Sequence, residues 1–314
     1  MKTTTMARAV FLLLSSFLVA AARFREDSCH PDDQAALLAV KAALSNPGRL
    51  DYWASDDSCC GWEEVDCDEF TGRVVSLSVT GDHTVTGTIP DAVAGLVHLV
   101  SLELRYLSAL YGPIPPAIGT LSNLSRLTIS WTAVSGPVPP FLADLAALTD
   151  VNLSQNRLTG TLPPSLFSRA PPGEEIRLTL RHNDLYGGVP AEWSAVRFHT
   201  IDLSGNAFTG DASPLFGAAK PLGLVDLSRN DFSFNFSGVE LPEKLYSMDV
   251  SHNVIYGGIP AQVASLTDLD TFDVSYNQLC GEVPGSLASF DVGMFEHNRC
   301  LCGAPLLPCT STVE

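Results

Sequence analysis

A single pattern recurs through most of this chain at intervals of about 24 residues. In residues 148–166, LTDVNLSQNRLTGTLPPSL, the apolar residues keep neither the helical period of about 3.6 nor the alternation of a β-strand. An asparagine marks the same place in successive copies, at Asn156, Asn183, Asn206, Asn230, Asn253 and Asn277, and Thr132 takes that place one copy earlier. The chain is therefore predicted to consist of similar units stacked in a row.

The order of residues in each copy, Leu-x-Leu-x-x-Asn-x-Leu-x-Gly-x-Leu-Pro, is typical of a leucine-rich repeat. Each copy then forms one turn, or rung, of a solenoid, and every rung contributes apolar residues to one continuous core. The Leu-x-Leu segment is predicted to be a short strand whose intervening residue faces solvent. We expect the asparagine to pair backbone groups inside the turn, and glycine and proline to turn the chain back along the convex side.

Nine rungs are predicted from equivalent strand positions along the chain. These positions are Leu77, Leu102, Leu127, Val151, Leu178, Ile201, Val225, Met248 and Phe272, and residues 290–300 are expected to form a partial tenth rung. With about 4.8 Å between strands, nine rungs give roughly 40 Å of continuous parallel sheet. The repeat by itself predicts a binding scaffold.

Both ends of the solenoid need caps, because the terminal rungs would otherwise expose the core. Residues 32–44 are predicted to form an amphipathic helix with an aspartate N-cap, ending before Asn46-Pro47-Gly48. The eight cysteines lie near the two ends, and an even number in a secreted chain indicates disulfides. We expect the pairs Cys29–Cys59, Cys60–Cys67, Cys280–Cys300 and Cys302–Cys309, although spacing alone leaves other connectivities open.

The first 22 residues have the pattern of a secretory signal peptide. Lys2 and Arg8 precede an apolar run over residues 9–19, and three alanines follow as a small-residue cleavage pattern. A membrane anchor is the alternative, but a span needs about 20 apolar residues. We therefore expect a soluble, secreted chain with a signal peptide over residues 1–22, an N-terminal cysteine-rich cap over 23–70, leucine-rich repeats over 71–289 and a C-terminal partial repeat and cap over 290–314.

The charge of the chain limits its partners. Removal of residues 1–22 leaves 16 basic and 35 acidic residues, a balance of −19. Nucleic acid is excluded as a partner, because its binding needs clustered lysine and arginine. The same balance disfavours acidic polysaccharides and anionic membranes, whereas a basic partner would be attracted.

Several motifs resemble those of plant extracellular leucine-rich repeat proteins. The N-terminal cap carries Cys29-His30-Pro31, Trp53, Cys59-Cys60 and Trp62, and two rungs end in VTGTIP and IYGGIP. With about ten rungs and CLCG at residues 300–303, the mature chain is similar to the polygalacturonase-inhibiting proteins. The resemblance implies a right-handed superhelix with a concave parallel β-sheet, in a monomer of the plant apoplast. It also implies that the concave face binds and slows fungal or insect endopolygalacturonases.

The residue between the two apolar strand positions is an aspartate in four successive rungs. These residues, Asp202, Asp226, Asp249 and Asp273, are predicted to form an acidic row on the C-terminal half of the concave face. One reading is that each carboxylate bonds locally to the backbone of its own rung. The other is that the row attracts a basic patch of a partner enzyme, or mimics the acidic polymer which that enzyme cleaves.

A second column follows three positions after the first. It holds Tyr106, Trp131, Gln155, His182, Arg229, His252 and Tyr276, and strand alternation is expected to point it outward. Aromatic and arginine side chains are enriched at binding hot spots, so we include this column, with Arg181 beside it, among the candidate partner-binding residues. His182 and His252 lie three rungs apart and cannot share a metal ion. They are either simply solvated or charge in an acidic cell wall and make binding pH-dependent.

Three glycosylation motifs occur, at Asn123, Asn152 and Asn235. Asn152 lies on the predicted concave sheet, where it would either carry a glycan that obstructs binding or remain bare. No metal or cofactor site is predicted.

An enzyme is disfavoured, because the sequence has none of the Gly-x-Ser-x-Gly, His-Glu-x-x-His, Gly-x-Gly-x-x-Gly or P-loop patterns. The remaining alternative to an inhibitor is a soluble receptor-like protein, which would bind a peptide or a receptor ectodomain on the same concave face.

Overall fold

The structure, a computed structural model, describes residues 29–45 and 48–309. The predicted signal peptide lies outside the described residues. The helix α1 spans Pro31–Ala43, and short 3₁₀ turns lie at Gly48–Leu50, Cys59–Gly61, Asp91–Gly95, Pro116–Thr120, Pro140–Asp144, Ala191–Ala195, Ser213–Leu215, Phe236–Gly238, Ala261–Ser265, Gly285–Leu287 and Val292–Met294. The strands are β1 (Val65–Cys67), β2 (Val74–Thr80), β3 (Thr86–Thr88), β4 (Ser101–Gly112), β5 (Arg126–Gly136), β6 (Asp150–Asn152), β7 (Arg157–Gly160), β8 (Ile176–Thr179), β9 (Asp184–Gly187), β10 (Phe198–Asp202), β11 (Ala207–Gly210), β12 (Leu224–Asp226), β13 (Asp231–Phe232), β14 (Ser247–Asp249), β15 (Tyr256–Gly257), β16 (Thr271–Asp273), β17 (Gln278–Glu282) and β18 (Cys300–Cys302).

The concave sheet confirms the nine predicted rungs. Its parallel strands follow the order β2, β4, β5, β6, β8, β10, β12, β14 and β16, and β1 pairs antiparallel with β2 at the N-terminal edge. The register joins the predicted positions directly, as Leu77, Leu102, Leu127, Val151, Leu178, Ile201, Val225, Met248 and Phe272. Residues at the same place in successive repeats therefore pair directly across neighbouring strands of the sheet.

A second set of short strands contains the glycine of most rungs, usually as the last residue of the strand. It contains β3, β7, β9, β11 and β13 together with the ends of β4 and β5, and β15 pairs with β17 and β18 in the same way. Sequence analysis did not predict these strands, although the glycines do turn the chain, with positive φ at Gly160, Gly187 and Gly210. Two to four residues of strand are too few to show a period in sequence, and their pairing depends on the neighbouring rungs.

The core is one continuous apolar cluster that extends from Cys29 to Phe295. Leucine side chains fill most of it, and aromatic rings stack between rungs in the C-terminal half, for example Phe208 on Phe232 at 6.0 Å between centroids. This arrangement confirms the leucine-rich repeat solenoid. In the part of the chain that the structure describes, no helix has the length and apolar character needed to cross a bilayer.

The buried asparagines join neighbouring rungs as predicted. The side-chain amide of Asn183 donates to the carbonyl oxygens of Leu153 and Leu180, both at 2.9 Å, and its oxygen accepts from the N–H of Leu158 at 2.9 Å. The same contacts recur up the solenoid to Asn298, which bonds the carbonyl of Val274 at 3.0 Å. Each asparagine thus satisfies backbone groups of its own rung and of the preceding rung.

The N-terminal cap differs from the prediction at the start of its helix. The N-cap of α1 is His30, whose ring accepts from the N–H of Asp32 at 3.3 Å, so the expected aspartate N-cap was wrong. Pro31 takes the first helical position, where its fixed φ and missing N–H are tolerated. Asp33 is instead fully buried, and it bonds the N–H of Val74 at 2.8 Å and the guanidinium of Arg73 at 2.7 Å.

The four expected disulfides are confirmed. Cys29 is bonded to Cys59, Cys60 to Cys67, Cys280 to Cys300 and Cys302 to Cys309. The partial tenth rung also forms, because the N–H groups of Val274 and Tyr276 donate to the carbonyls of Met294 at 2.9 Å and Glu296 at 3.1 Å. The polypeptide then enters the C-terminal cap at Cys300.

Candidate functional site: the concave face

The four aspartates lie side by side on the concave sheet. The register pairs Asp202 with Asp226, Asp226 with Asp249 and Asp249 with Asp273. We call these four residues the acidic row. The row is less accessible than its strand position suggests, since Asp202 is 9% exposed and the other three are half-buried.

Each aspartate of the acidic row forms a hydrogen bond within its own rung. The Oδ1 atom accepts from the N–H of the serine two residues later, at 3.0 Å for Ser204 and 2.9 Å for Ser228, Ser251 and Ser275. Asn152 makes the same bond to Ser154 at 3.1 Å. The local reading of these carboxylates is thus confirmed for Oδ1. Within the described residues, Oδ2 of each aspartate has no hydrogen bond or ion pair, so it remains available to a partner.

Burial makes two of these carboxylates harder to ionise. It raises the pKa of Asp249 to about 6, against the lowering effect of the Ser251 bonds and with a further rise from Asp226 and Asp273. Burial also raises the pKa of Asp202, a rise that the Ser204 hydroxyl and the nearby Arg181 oppose. The charge of the row therefore changes between weakly acidic and neutral pH.

From Gln155 onward the second column lies beyond the concave strands, whereas Tyr106 and Trp131 lie within β4 and β5. Its residues are Tyr106, Trp131, Gln155, His182, Arg229, His252 and Tyr276, and all have a left-handed backbone with φ between 53° and 56°. A turn with positive φ, not the strand alternation that we expected, directs these side chains toward solvent. His297 in the partial rung has the same conformation, at φ 59°, and completes the column.

Sequence reasoning missed His297, although a signal for it was present. It immediately precedes Asn298, just as Tyr276 precedes Asn277 and His252 precedes Asn253. The partial rung has Gly293 at the place of the first apolar strand residue, which is Phe272 in the preceding rung, and this substitution hid the equivalence.

Three rings of the column form a stack at its C-terminal end, which we call the imidazole stack. His252 lies on Tyr276 with centroids 4.1 Å apart and 10° between planes, and Tyr276 lies on His297 at 4.1 Å and 22°. Tyr276 is covered on both faces, yet 45% of it is exposed, mostly at its edge. Arg229 precedes the stack by one rung and lowers the pKa of His252, although burial lowers it more.

Two aromatic residues pair at the opposite end of the concave face. The rings of Tyr106 and Trp131 stack with centroids 5.7 Å apart, and they are 48% and 44% exposed. The guanidinium of Arg105 lies 5.6 Å from the centre of the Tyr106 ring and bonds Glu103 at 2.9 Å. We call Tyr106 and Trp131 the aromatic pair.

The middle of the column contains a glycine where other rungs have a side chain. A Cβ atom on Gly205 would lie 2.6 Å from Nδ1 of His182, so the absence of a side chain leaves room for that imidazole. Arg181 is exposed beside it and lies close enough to Asp202 to influence its ionisation. The structure thus brings together Arg181, His182 and Asp202, which the sequence placed in separate columns.

The geometry favours binding over chemistry. The carboxylates lie on an open sheet rather than in an enclosing cleft of the kind that shapes a catalytic acid. Among the described residues, the only three potential metal ligands within reach of one another are Cys29, Cys59 and Cys60, and all three are in disulfides. The concave face is therefore a wide, open surface with an aromatic end and an acidic, imidazole-rich end.

The three glycosylation motifs differ in their surroundings. Asn123 and Asn235 are exposed outside the concave strands, although the side-chain oxygen of Asn235 also accepts from the N–H of Ser237 at 3.1 Å. Asn152 is half-buried in β6, and its side-chain oxygen is engaged with Ser154.

Comparison with known proteins gives matches over nearly the whole chain. The family descriptions "Leucine rich repeat N-terminal domain" and "Leucine Rich Repeat" match residues 30–68 and 147–168. The polygalacturonase inhibitor of Pyrus communis is 45% identical over 95% of this chain and 96% of its own, and that of Vitis vinifera is 43% identical over 96% and 98%. A solved structure, a plant ice-binding protein, is 41% identical over 91% of this chain and 99% of its own, with a TM-score of 0.76.

Proposed function

The chain belongs to the polygalacturonase-inhibitor family, and on this premise we propose that it binds fungal or insect endopolygalacturonases on its concave face and slows their cleavage of pectin. The observation that carries the proposal is the 45% identity to the Pyrus communis inhibitor, which extends over 95% of this chain. A match of that extent covers most of the repeat scaffold that forms the concave face.

The concave face supports this proposal through its shape and its side chains. Its nine parallel strands form a continuous wall, long enough to cover the substrate cleft of an enzyme. The aromatic pair supplies exposed rings of the kind that anchor interfaces. At the other end, the three half-buried aspartates of the acidic row, Asp226, Asp249 and Asp273, offer Oδ2 atoms without a hydrogen bond to a basic patch, such as one that holds an acidic polymer substrate. The chain acts as a binding protein in this proposal and not as an enzyme.

We place the mature protein in the plant cell wall. The signal-peptide pattern, the four disulfides and the strongly acidic surface fit an oxidising extracellular compartment. Asn123 and Asn235 are proposed to carry glycans, because both are exposed outside the concave face. Asn152 is proposed to stay bare, because its side chain is held within the strand and a glycan there would block docking.

An inhibition assay tests the proposed function. The purified mature protein would be incubated with a panel of fungal endopolygalacturonases, and the release of reducing ends from polygalacturonic acid would be measured. We expect hydrolysis to fall with at least one enzyme and to recover on dilution of the complex. No loss of hydrolysis with any enzyme would reject the proposal and favour the alternative, a soluble receptor-like protein that binds a peptide or a receptor ectodomain.

A further inference from the structure

One repeat is longer than its neighbours, and its additional residues build a pocket outside the concave face. From Asn156 to Asn183 the repeat takes 27 residues, against 23 or 24 in each of the next four. The additional residues lie in SRAPPGEE, residues 168–175, just before β8. The pocket there has a volume of about 390 Å³. Small-molecule sites in proteins have about 300 to 1,000 Å³, so this pocket has the size of a ligand site.

The pocket lies on a different flank of the solenoid from the turn column. Ile176 lines it and begins β8, and Arg197 lines it and directly precedes β10. His182 of the turn column instead follows the C-terminal end of β8. A ligand in this pocket therefore leaves the turn column open to a partner.

One wall of the pocket is a well-defined turn. The N–H of Glu174 donates to the carbonyl of Pro171 at 3.2 Å, and Gly173 has a φ of 86°. Pro172 and Gly173 thus take the two central positions of a type II turn, which proline and glycine favour in that order. Because proline also restricts the backbone, this wall is formed before a ligand arrives.

The buried part of the lining, which we call the floor, is apolar. It consists of Leu166, Phe167 and Ile176. Phe167 has a left-handed backbone with φ 67°, a conformation that is unfavourable for a bulky residue. Its ring packs edge-on against Phe198 with 6.0 Å between centroids, and this packing helps to offset the strain. The floor therefore offers a fixed apolar surface to a ligand.

Charged side chains of both signs line the rim of the pocket. They are Glu174, Glu192 and Arg197, and all three are exposed. Within the described residues, none of these three side chains makes a hydrogen bond or an ion pair. Glu175, which does not line the pocket, is by contrast paired with His199 at 3.3 Å. Two carboxylates and one guanidinium are thus available to a ligand beside the apolar floor.

We propose that this pocket binds a small zwitterion with an apolar body, either an apolar amino acid or a short apolar peptide with free termini. The ammonium group pairs with Glu174 and Glu192, the carboxylate pairs with Arg197, and the apolar body covers the floor. A ligand with a single charge meets a like charge on the rim, whereas a zwitterion complements both signs. The inference goes beyond the proposed function and does not rest on it.

Calorimetric titration of the purified mature protein at low ionic strength tests the inference. Three probes share an indole ring: tryptophan carries both charges, tryptamine only the ammonium group and indole-3-propionate only the carboxylate. The dipeptide Leu-Trp is the fourth probe, and it separates a peptide ligand from an amino acid. We expect at least one of the two zwitterions to bind about fivefold or more tightly than either singly charged probe.

Two variants of exposed rim residues assign the contacts. We expect Arg197→Gln to weaken the tighter zwitterion about fivefold without weakening tryptamine, because it removes only the partner of the carboxylate. Glu192→Gln should weaken the zwitterion and tryptamine alike, and it should not weaken indole-3-propionate. The matched controls are Arg177→Gln and Glu243→Gln, which are exposed and lie outside the pocket. Both controls should bind as the wild type does.

Three results would overturn the inference. They are no binding of either zwitterion at millimolar concentration, equal affinity for the zwitterions and the singly charged probes, and equal effects of Arg197→Gln and Arg177→Gln. Tryptamine binding that is retained in Arg197→Gln shows that the pocket of this variant is intact. Since no endopolygalacturonase is present in these titrations, their outcome is separate from that of the inhibition assay.

Discussion

Asp249 lies directly beside Asp273 in the parallel register of neighbouring strands, and both carboxylates are half-buried. The Oδ1 atom of each accepts a hydrogen bond from a serine N–H of its own rung at 2.9 Å. The pair therefore combines a well-bonded local geometry with an unfavourable accumulation of charge. A cost of this kind indicates that the row is not optimised for stability, which agrees with a role in binding.

Replacement of one carboxylate should stabilise the folded protein at neutral pH. Folding raises the pKa of Asp249 to about 6, so its favourable contribution is fully present below about pH 4 and is lost as the pH rises through 6. Asp249→Asn keeps the bond acceptor, as Asn152 shows, but carries no charge. We expect the free energy of unfolding to rise by about 1.5 kcal/mol at pH 7 and to remain unchanged at pH 4.

Urea denaturation at the two pH values measures this effect. Asp184→Asn is the matched control, since Asp184 is exposed on β9 and away from the row. A destabilisation by Asp249→Asn at pH 7 would contradict this prediction, because it would mean that the charge of Asp249 stabilises the folded protein.

The acidic row should accelerate association with a basic patch. Asp226→Asn combined with Asp249→Asn removes two negative charges, and we expect association to slow by about fivefold at low salt and much less at high salt. The control, Asp184→Asn with Asp231→Asn, removes the same charge from exposed positions on β9 and β13. Stopped-flow fluorescence measures the association rate of each double variant with an endopolygalacturonase. Equal rates for the two double variants would show that only the net charge matters.

The aromatic pair should anchor the partner at the other end. Tyr106 and Tyr111 lie in the same strand and are 48% and 56% exposed, but only Tyr106 lies in the concave turn column. We expect Tyr106→Ala to weaken inhibition about tenfold or more, and Tyr111→Ala to leave it unchanged. Inhibition constants from the hydrolysis assay measure the difference. Similar losses of inhibition in both variants would show that the concave turn column at Tyr106 is no more important for binding than the surface around Tyr111.

The buried asparagine that recurs in each rung should affect the stability of the fold and not the binding of a partner. Asn253 is buried, and it bonds the carbonyls of Leu227 at 3.0 Å and Val250 at 3.1 Å and the N–H of Phe232 at 2.9 Å. Asn253→Ala leaves these backbone groups unpaired, so we expect a loss of about 3 kcal/mol in the free energy of unfolding. Gln278→Ala, at an exposed position of β17, is the control. Thermal unfolding measures both, and a small loss in Asn253→Ala would show that water replaces the ladder bonds.

The rung register and the asparagine contacts could be predicted from sequence because both follow from a strict repeat. An equal spacing of Leu77 and Leu102 along the chain becomes direct pairing once the rungs stack. The disulfide pairs agree with the grouping of the cysteines at each end, although that spacing left other connectivities open. The register and the asparagine contacts depend on the spacing of the repeat.

Other features depend on how neighbouring rungs meet, which spacing does not encode. The 4.1 Å contact of His252 with Tyr276 results from two left-handed turns that present their rings in parallel. Asp202 is 9% exposed while the aspartates at the same place on the next three strands are half-buried, so strand position alone does not determine its burial. The N-cap at His30 could not be predicted, because the sequence does not show which side chain lies against the first turn of α1.

The central claim is that the partner docks on the concave face, and two matched tyrosines test it most directly. Tyr276 lies in the concave turn column and is 45% exposed, whereas Tyr256 lies in the second set of strands and is 47% exposed. A photoreactive benzoylphenylalanine would be placed at one position or the other and irradiated in the presence of an endopolygalacturonase. The account predicts a covalent product with the enzyme from position 276 and little or none from position 256. Cross-linking from position 256 alone, or equally from both, would contradict it.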